Sequence, residues 1–259
     1  MAAIHRCTLA NGNRKKVVAI IQARMGSTRL PGKVLKDLSG QSMLARVIAR
    51  VRAARLIDEV LVATTNLPQD DVIVSECRRC GVAVSRGDQQ DVLDRYFRAA
   101  DLVKADIIVR ITADCPLIDP QVTDKTIRAF LDKNPDYASN VVERTYPRGL
   151  DTEVMSLGAL TRAWTEADKA YEREHVTPYL LEHPSEFVLL SVTGDVDYSG
   201  HRWTVDTPED FEFVQTVYDQ LGPESAFSWH DVLDLLKRAP DLLELNRSVT
   251  QKPNIDIVR

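Results

Sequence analysis

The reading of this chain turns on residues 17–33, VVAIIQARMGSTRLPGK. Val17, Val18, Ala19, Ile20 and Ile21 make a short apolar, mostly β-branched block, which reads as a strand buried on both faces inside a parallel sheet. A loop opens at Gln22, and Arg24, Arg29 and Lys33 are interleaved there with Gly26, Ser27, Thr28 and Gly32. Glycines let main-chain N–H groups approach phosphate oxygens, Arg grips them with a two-point fork, and Lys supplies a mobile point charge. The loop therefore reads as an anion site. It is not a P-loop: the spacing from Gly26 to Gly32-Lys33 is one residue too long, and Val34 stands where a magnesium-binding hydroxyl belongs. The alternative is a surface loop whose cations are simply solvated. A buried strand running straight into glycine, proline and cations favours the site, because open α/β sheets bind ligands at the carboxyl ends of their strands.

The 259 residues suffice for one large α/β domain. Hydrophobic residues are 44% and charged residues 27%, an ordinary soluble composition, and the net charge is −5. A mildly acidic chain lacks the broad positive surface that nucleic acid demands, so cations gathered in one loop point to a small anion. No apolar run approaches the roughly 20 residues that span a bilayer, and residues 1–16, read as a flexible arm, hold no secretory h-region; a cytoplasmic location is expected. Cys7, Cys77, Cys80 and Cys115 are too scattered for a disulfide framework. The one C-x-x-C, Cys77 to Cys80, has no second pair to complete a zinc site.

Downstream, Ser42 is expected to cap a helix with Leu44, Val47, Ile48 and Val51 on one face. Glu59–Thr65 reads as a second buried strand. Its end, Thr64, Thr65 and Asn66, is either a ligand contact at the same crevice or a turn closed by Pro68. A helix over Asp70–Cys80, with Val72, Ile73 and Cys77 or Cys80 inward, precedes a short strand, Gly81–Val84. Asp91–Lys104 is a second amphipathic helix with Val92, Tyr96, Ala99 and Val103 on one side; Arg95 beside them is either a site residue or a solvated helix arginine. Asp106–Thr112 is a further buried strand and delivers Asp114. A carboxylate facing a cationic phosphate loop suits magnesium bound with a nucleoside triphosphate, although Pro116 makes a turn there on either reading.

From about 136 to 196 the α/β rhythm breaks, and the segment reads as an inserted substrate lobe. Arg148, Asp151 and Glu153 gather in it; the two acids, two apart on a strand, would share a face and bind hydroxyls of a sugar-like acceptor, or else form a solvent face. Residues 168–181 add Arg173, Glu174 and His175 without any zinc-protease spacing. His201–Val205 is expected to finish the sheet. Thr207 as cap, Pro208 at the first helical position and Glu209 and Asp210 in the first turn announce a helix with Phe211, Val214, Tyr218 and Leu221 inward. That leaves Asp206 as a second carboxylate at the ligand edge. Residues 223–259 read as a helical extension, with a helix capped by Ser228 and a shorter one after Pro240.

The string A-x-x-x-A-R-x-x-S-x-R-L-P-G-K over 19–33 resembles the signature of the cytidylyltransferases that activate the acidic sugars Kdo and acylneuraminate, and most closely their spore coat polysaccharide biosynthesis protein F branch. V-D-T-P-E-D at 205–210 resembles the family element whose aspartate completes the metal site, and R-E-H-V-T-P at 173–178 resembles the spore coat branch. The resemblance implies a three-layer α/β/α, mostly parallel Rossmann-like sheet of the nucleotidyltransferase and glycosyltransferase-A kind over 17–222, with the inserted lobe serving substrate and dimer contacts. It implies CTP, Mg2+ and a small acidic acceptor as partners, transfer of CMP with loss of pyrophosphate, and a homodimer. Arg24, Lys33, Asp114 and Asp206 would carry the chemistry, with Asp114 and Asp206 on the metal. Ala23, Arg24, Gly26, Ser27, Thr28, Arg29, Lys33, Thr64, Asn66, Arg95 and Thr112 would hold the nucleotide, although Thr112 stands where Kdo-type relatives have glutamine. Arg148, Asp151, Glu153, Glu174 and His175 would meet the acceptor. Two other readings stay open: a glycosyltransferase, which would want a D-x-D pair where T-A-D-C offers one acid, and a non-catalytic nucleotide- or sugar-binding protein.

Overall fold

A computed structural model describes residues 14–222 and 227–251. Cys7, most of the expected amino-terminal arm and the last residues of the carboxyl-terminal extension lie outside them. The chain runs β1 (Val17–Gln22), β2 (Asp37–Leu38), β3 (Gln41–Ser42), α1 (Met43–Arg52), β4 (Glu59–Thr65), α2 (Asp71–Arg79), β5 (Ala83–Gly87), α3 (Val92–Leu102), β6 (Ile107–Thr112), α4 (Pro120–Lys133), β7 (Tyr137–Ser139) and β8 (Glu153–Ser156). It continues with α5 (Leu157–Glu166), α6 (Ala170–His175), α7 (Pro178–Glu182), β9 (Leu189–Ser191), α8 (Pro208–Leu221) and α9 (Trp229–Arg238).

Seven strands form one sheet in the order β5-β4-β1-β6-β8-β7-β9. β5, β4, β1 and β6 are parallel, β8 runs antiparallel to both β6 and β7, and β9 is parallel to β7. β1 lies inside the sheet between β4 and β6 and is covered by helices on both sides, which is why its residues are apolar on both faces. Val17, Ala19 and Ile21 enter one core with α1, α2, α4, α8 and α9, while Val18 and Ile20 enter the other with α3, α5 and α7. This is the three-layer, mostly parallel architecture the first stretch implied. The segment expected as an inserted lobe, 136–196, contributes β7, β8 and β9 to this same sheet.

Local signals held where the chemistry was local. Ser42 accepts from Ala45 N–H to cap α1, and Thr207 and Asp210 form a reciprocal capping box at α8 with Pro208 in the first turn. Ser228 caps α9 in the same way, and a short 3-10 turn follows at Pro240–Glu244. Elsewhere tertiary contacts shifted the outcome. α2 begins at Asp71, because Asp70 turns inward to bond Thr65 and the Met25 N–H; Val72 consequently faces solvent, 48% exposed. Gly81, at φ 62°, closes that helix, and the next strand is Ala83–Gly87 rather than Gly81–Val84. On α8 the buried apolar residues are Phe213, Val214, Val217 and Tyr218, with Phe211 and Leu221 only partly covered.

His201–Val205 is not a sheet strand. Only Arg202 makes a bridge, to Arg148. The segment instead runs along the carboxyl edge: Trp203 N–H donates to the Arg148 carbonyl at 2.7 Å and Val205 N–H to the Asp114 carbonyl at 2.8 Å. Gly149, at φ 113°, permits this crossing, since a Cβ there would lie 2.6 Å from the Trp203 carbonyl carbon and 2.7 Å from the Thr204 nitrogen. The crossing places Asp206 opposite Asp114.

Candidate active site

At the carboxyl ends of β1 and β6, a cavity of about 310 Å³ is lined by the first loop, the start of α3, the end of α6 and both expected carboxylates. The loop is held from below: Asp70, fully buried, accepts the Met25 N–H at 2.8 Å, and the Met25 carbonyl accepts from Ser27 and Gly32. Gly32 takes the left-handed conformation, φ 67°, that turns the chain into a short 3-10 segment starting at Lys33. Among the described residues, the N–H groups of Gly26, Thr28 and Arg29 have no protein acceptor, and the exposed Arg24 has no ion pair. Unpartnered donors and a cation are thus left on residues that line the cavity, the composition an anion site requires.

Lys33 is the centre of the charge arrangement. Its ammonium donates to Asp114 Oδ2 at 3.1 Å, to Asp206 Oδ1 at 2.9 Å and to the Val205 carbonyl at 2.6 Å. Burial alone would lower its pKa, but the two carboxylates raise it above the usual lysine value. Burial likewise pushes Asp114 and Asp206 up, and Lys33 more than reverses this, holding both below the ordinary carboxylate range. Asp206 also receives Arg29 at 3.0 Å and Arg202 at 2.9 Å. Arg202 is oriented in turn by Asp210, which is fully buried at the start of α8.

Arg95 presents the opposite situation. It is 3% exposed, yet its Nε and Nη1 have no partner among the described residues, and burial lowers its pKa. It reaches the cavity past Gly87, where a Cβ would lie 2.7 Å from Arg95 Cγ. A buried guanidinium without acceptors is costly unless a ligand completes it. Gln22 Oε1, on the same cavity wall, is likewise buried and unpartnered.

Across the cavity, Glu174 and His175 project from the end of α6, which is clamped to α3. Arg173 donates to both oxygens of Asp91, the N-cap of α3, at 2.6–3.1 Å, and to the Trp164 carbonyl at 2.6 Å. The next residue, Val176, is buried with φ 74° and ψ −51°, and Thr177 N–H closes a three-residue turn on the His175 carbonyl. A β-branched residue at positive φ is strained, and such strain concentrates where side chains are held for function.

The cavity wall therefore unites Ala23, Arg24, Gly26, Ser27, Thr28, Arg29, Lys33, Arg95, Thr112, Asp114, Glu174, His175 and Asp206. Thr64 and Asn66 do not line it: Thr64 is fully buried, and Asn66 belongs to a separate depression with Gly87 and Asp88. Arg148, Asp151 and Glu153 also lie outside its wall. Asp151 precedes β8 instead of sharing a strand with Glu153, and Arg144 grips it with two bonds of 2.6 and 2.9 Å. Glu153, the first residue of β8, is ion-paired with Arg110 and accepts from the Tyr137 hydroxyl at 2.9 Å. Neither acid is free to bind a sugar hydroxyl as a pair. Arg148 keeps a half-buried guanidinium without a side-chain partner among the described residues; burial, then the neighbouring Arg144, lowers its pKa. The sequence reading missed Gln22, Asp70 and Arg110; only Arg110 carried a signal, a charge inside the apolar run DIIVRIT.

No trio of His, Cys, Asp or Glu among the described residues could cage a metal unaided. The donor set nevertheless fits magnesium, which takes one or two carboxylates and completes its shell with phosphate and water: Asp114 and Asp206 are both held ionised and converge on a single cation. No helix of the described residues is long and apolar enough to cross a membrane.

Comparison with known proteins agrees with this fold. Residues 18–251 match the family model described as cytidylyltransferase. Spore coat polysaccharide biosynthesis protein SpsF of Bacillus subtilis is 34% identical over 232 residues, 87% of this chain and 95% of that protein. A 3-deoxy-manno-octulosonate cytidylyltransferase of Geobacter sulfurreducens is 41% identical over 121 residues, 46% of each chain. The structure of a cytidylyltransferase from Leptospira borgpetersenii superposes with a TM-score of 0.86 at 34% identity, covering 92% of this chain and all of that one. A cationic loop, two facing carboxylates and an α/β/α sheet are thus found in a chain that belongs to the cytidylyltransferase family of nucleotidyltransferase enzymes.

Proposed function

We propose that the protein transfers CMP from CTP to a sugar acid or related small acidic acceptor, with magnesium as cofactor and release of pyrophosphate. The observation that carries this reading is Lys33 lying between two ionised carboxylates on a cavity where two further cations, Arg24 and Arg95, have no ion pair among the described residues. An acceptor hydroxyl gives up its proton to solvent, its oxygen forms a bond to the α-phosphorus, and the bond from that phosphorus to the β-bridging oxygen breaks, so that pyrophosphate leaves with the electron pair. Arg24 and Lys33 neutralise the charge that grows on the α-phosphate and the departing pyrophosphate, and the loop N–H groups orient the triphosphate. Asp114 and Asp206 would hold magnesium, which when bound supplies charge neutralisation and makes the acceptor hydroxyl more acidic. Such chemistry needs positioning and charge more than a covalent nucleophile.

Kdo and spore coat polysaccharide relatives support an acidic sugar as acceptor, as does the unpaired Arg148 near the site. The test is pyrophosphate release with magnesium, each of the four nucleoside triphosphates in turn, and a pool of sugar acids, sugar phosphates and phosphonates. Release with CTP alone is expected. Absence of release with every triphosphate, together with transfer from nucleotide-sugars, would replace this reading by a glycosyltransferase.

A further inference from the structure

The three oxygens that surround the Lys33 ammonium, from Asp114, Asp206 and the Val205 carbonyl, lie 2.6–3.1 Å from it. They are hard donors converging on one point, and that point is filled by a tethered cation. Lys33 is 8% exposed, so an ammonium displaced from these oxygens must find another anion or remain buried and unpaired, an expensive state. The first loop offers it none: the cavity wall beside Lys33 is otherwise cationic or neutral there, with Arg24, Arg29, Ser27 and Thr28. A triphosphate bound on that loop would supply the missing anion.

We propose that Lys33 is an internal competitor for the metal seat, so that a divalent cation binds the carboxylates productively only when a nucleoside triphosphate arrives to receive the released ammonium. The inference rests on the nucleotidyltransferase reading of the site but concerns the order and coupling of binding. Its consequence is that the ligand-free enzyme binds free metal poorly, which keeps the carboxylate pair from being occupied without nucleotide. Coupling is reciprocal: the metal strengthens triphosphate binding by the same factor. Lys33 thereby does two things in sequence, holding the acids together in the empty enzyme and neutralising phosphate in the loaded one.

The test uses Mn2+ as a paramagnetic probe, followed by electron paramagnetic resonance and calorimetry on the full chain. Lys33→Ala should bind Mn2+ without nucleotide roughly ten-fold or more tightly than wild type, since the competitor is gone. Adding Asp206→Asn to that variant should abolish the gain. The non-hydrolysable analogue α,β-methylene CTP should tighten Mn2+ binding by a larger factor in wild type than in Lys33→Ala. Lys33→Met, an unbranched side chain one atom shorter that removes the charge and adds no oxygen donor, provides the same comparison should Lys33→Ala fold poorly. Equal Mn2+ affinity in wild type and the folded Lys33 variants would overturn the proposal, and so would a gain that survives Asp206→Asn. Failure of the CTP analogue to bind wild type would instead sink the cytidylyltransferase reading, leaving the comparison with Mn2+ alone to decide the role of Lys33.

Discussion

Replacing Arg95 by Met should stabilise the empty protein and cripple its ligand binding. Arg95 is 3% exposed and two of its guanidinium nitrogens have no acceptor among the described residues, so the folded, ligand-free chain bears a desolvation cost with little return. Methionine fills similar space, has no polar atoms to satisfy and suits the neighbouring apolar residues Val92 and Tyr96. Substituting buried charge by a well-packed apolar side chain commonly stabilises by about 1–4 kcal/mol, and in a chain of this size each kcal/mol raises the midpoint by about 2–4 °C. The same change removes hydrogen bonds from a charged donor to the nucleotide, worth about 1.5–3 kcal/mol, which weakens CTP binding roughly ten- to hundred-fold. Scanning calorimetry of the empty protein and titration with a CTP analogue read the two effects separately. A lowered midpoint would refute the reasoning, because it would mean that Arg95 is satisfied within the fold and serves the core. Gly87→Ala offers an independent route to the same end: its Cβ, 2.7 Å from Arg95 Cγ, should displace the arginine and weaken CTP binding with Arg95 still present.

Gly149→Ala should destabilise by at least about 2 kcal/mol, from backbone strain at φ 113° and collision with Trp203 and Thr204, and it should also weaken metal–nucleotide binding because that segment carries Asp206; an unchanged denaturation midpoint would count against the close approach. Arg173→Gln should cost about 1–2 kcal/mol and raise KM for whichever acceptor supports turnover more than KM for CTP, since it frees Glu174 and His175 while Asp91 still caps α3; equal effects on both KM values would argue that α6 does not face the acceptor. The Lys33–Asp114–Asp206 cluster should contribute constant stability through neutral pH. It is lost in acid, as the carboxylates are protonated below their ordinary 3.8, and again above 10.5, as Lys33 gives up its proton. In Lys33→Ala nothing from Lys33 opposes the burial that raises the two acids, so they take up protons at higher pH than in wild type; the gap between the urea midpoints of the two proteins should narrow progressively toward acid and close again above the lysine range, and a gap that stays the same at every pH would refute the coupling.

What the sequence determined by itself was whatever short-range chemistry controls. The β-branched run Val17–Ile21 read as a strand covered on both faces, and the cations and glycines that follow it favoured the ligand edge of a parallel sheet over a solvated surface loop. Thr207-Pro208-Glu209-Asp210 had to begin a helix, because cap, fixed φ and first-turn acids all act within four residues. Asp114 and Asp206 were legible as carboxylates at strand and helix ends. Their convergence on Lys33 was not, since 81 residues separate Lys33 from Asp114 and 173 separate it from Asp206, and only the sheet order brings β1 and β6 side by side. Asp151 and Glu153 misled for the related reason that a carboxylate's availability depends on its partners: Arg144, seven residues before Asp151, and Arg110, 43 residues before Glu153, ion-pair with them. Arg95 read equally well as a solvated helix residue or a site residue, and burial alone decided between them. Burial, pairing and the crossing of 201–205 over Gly149 are sums over contacts between distant segments, and no local pattern encodes such sums.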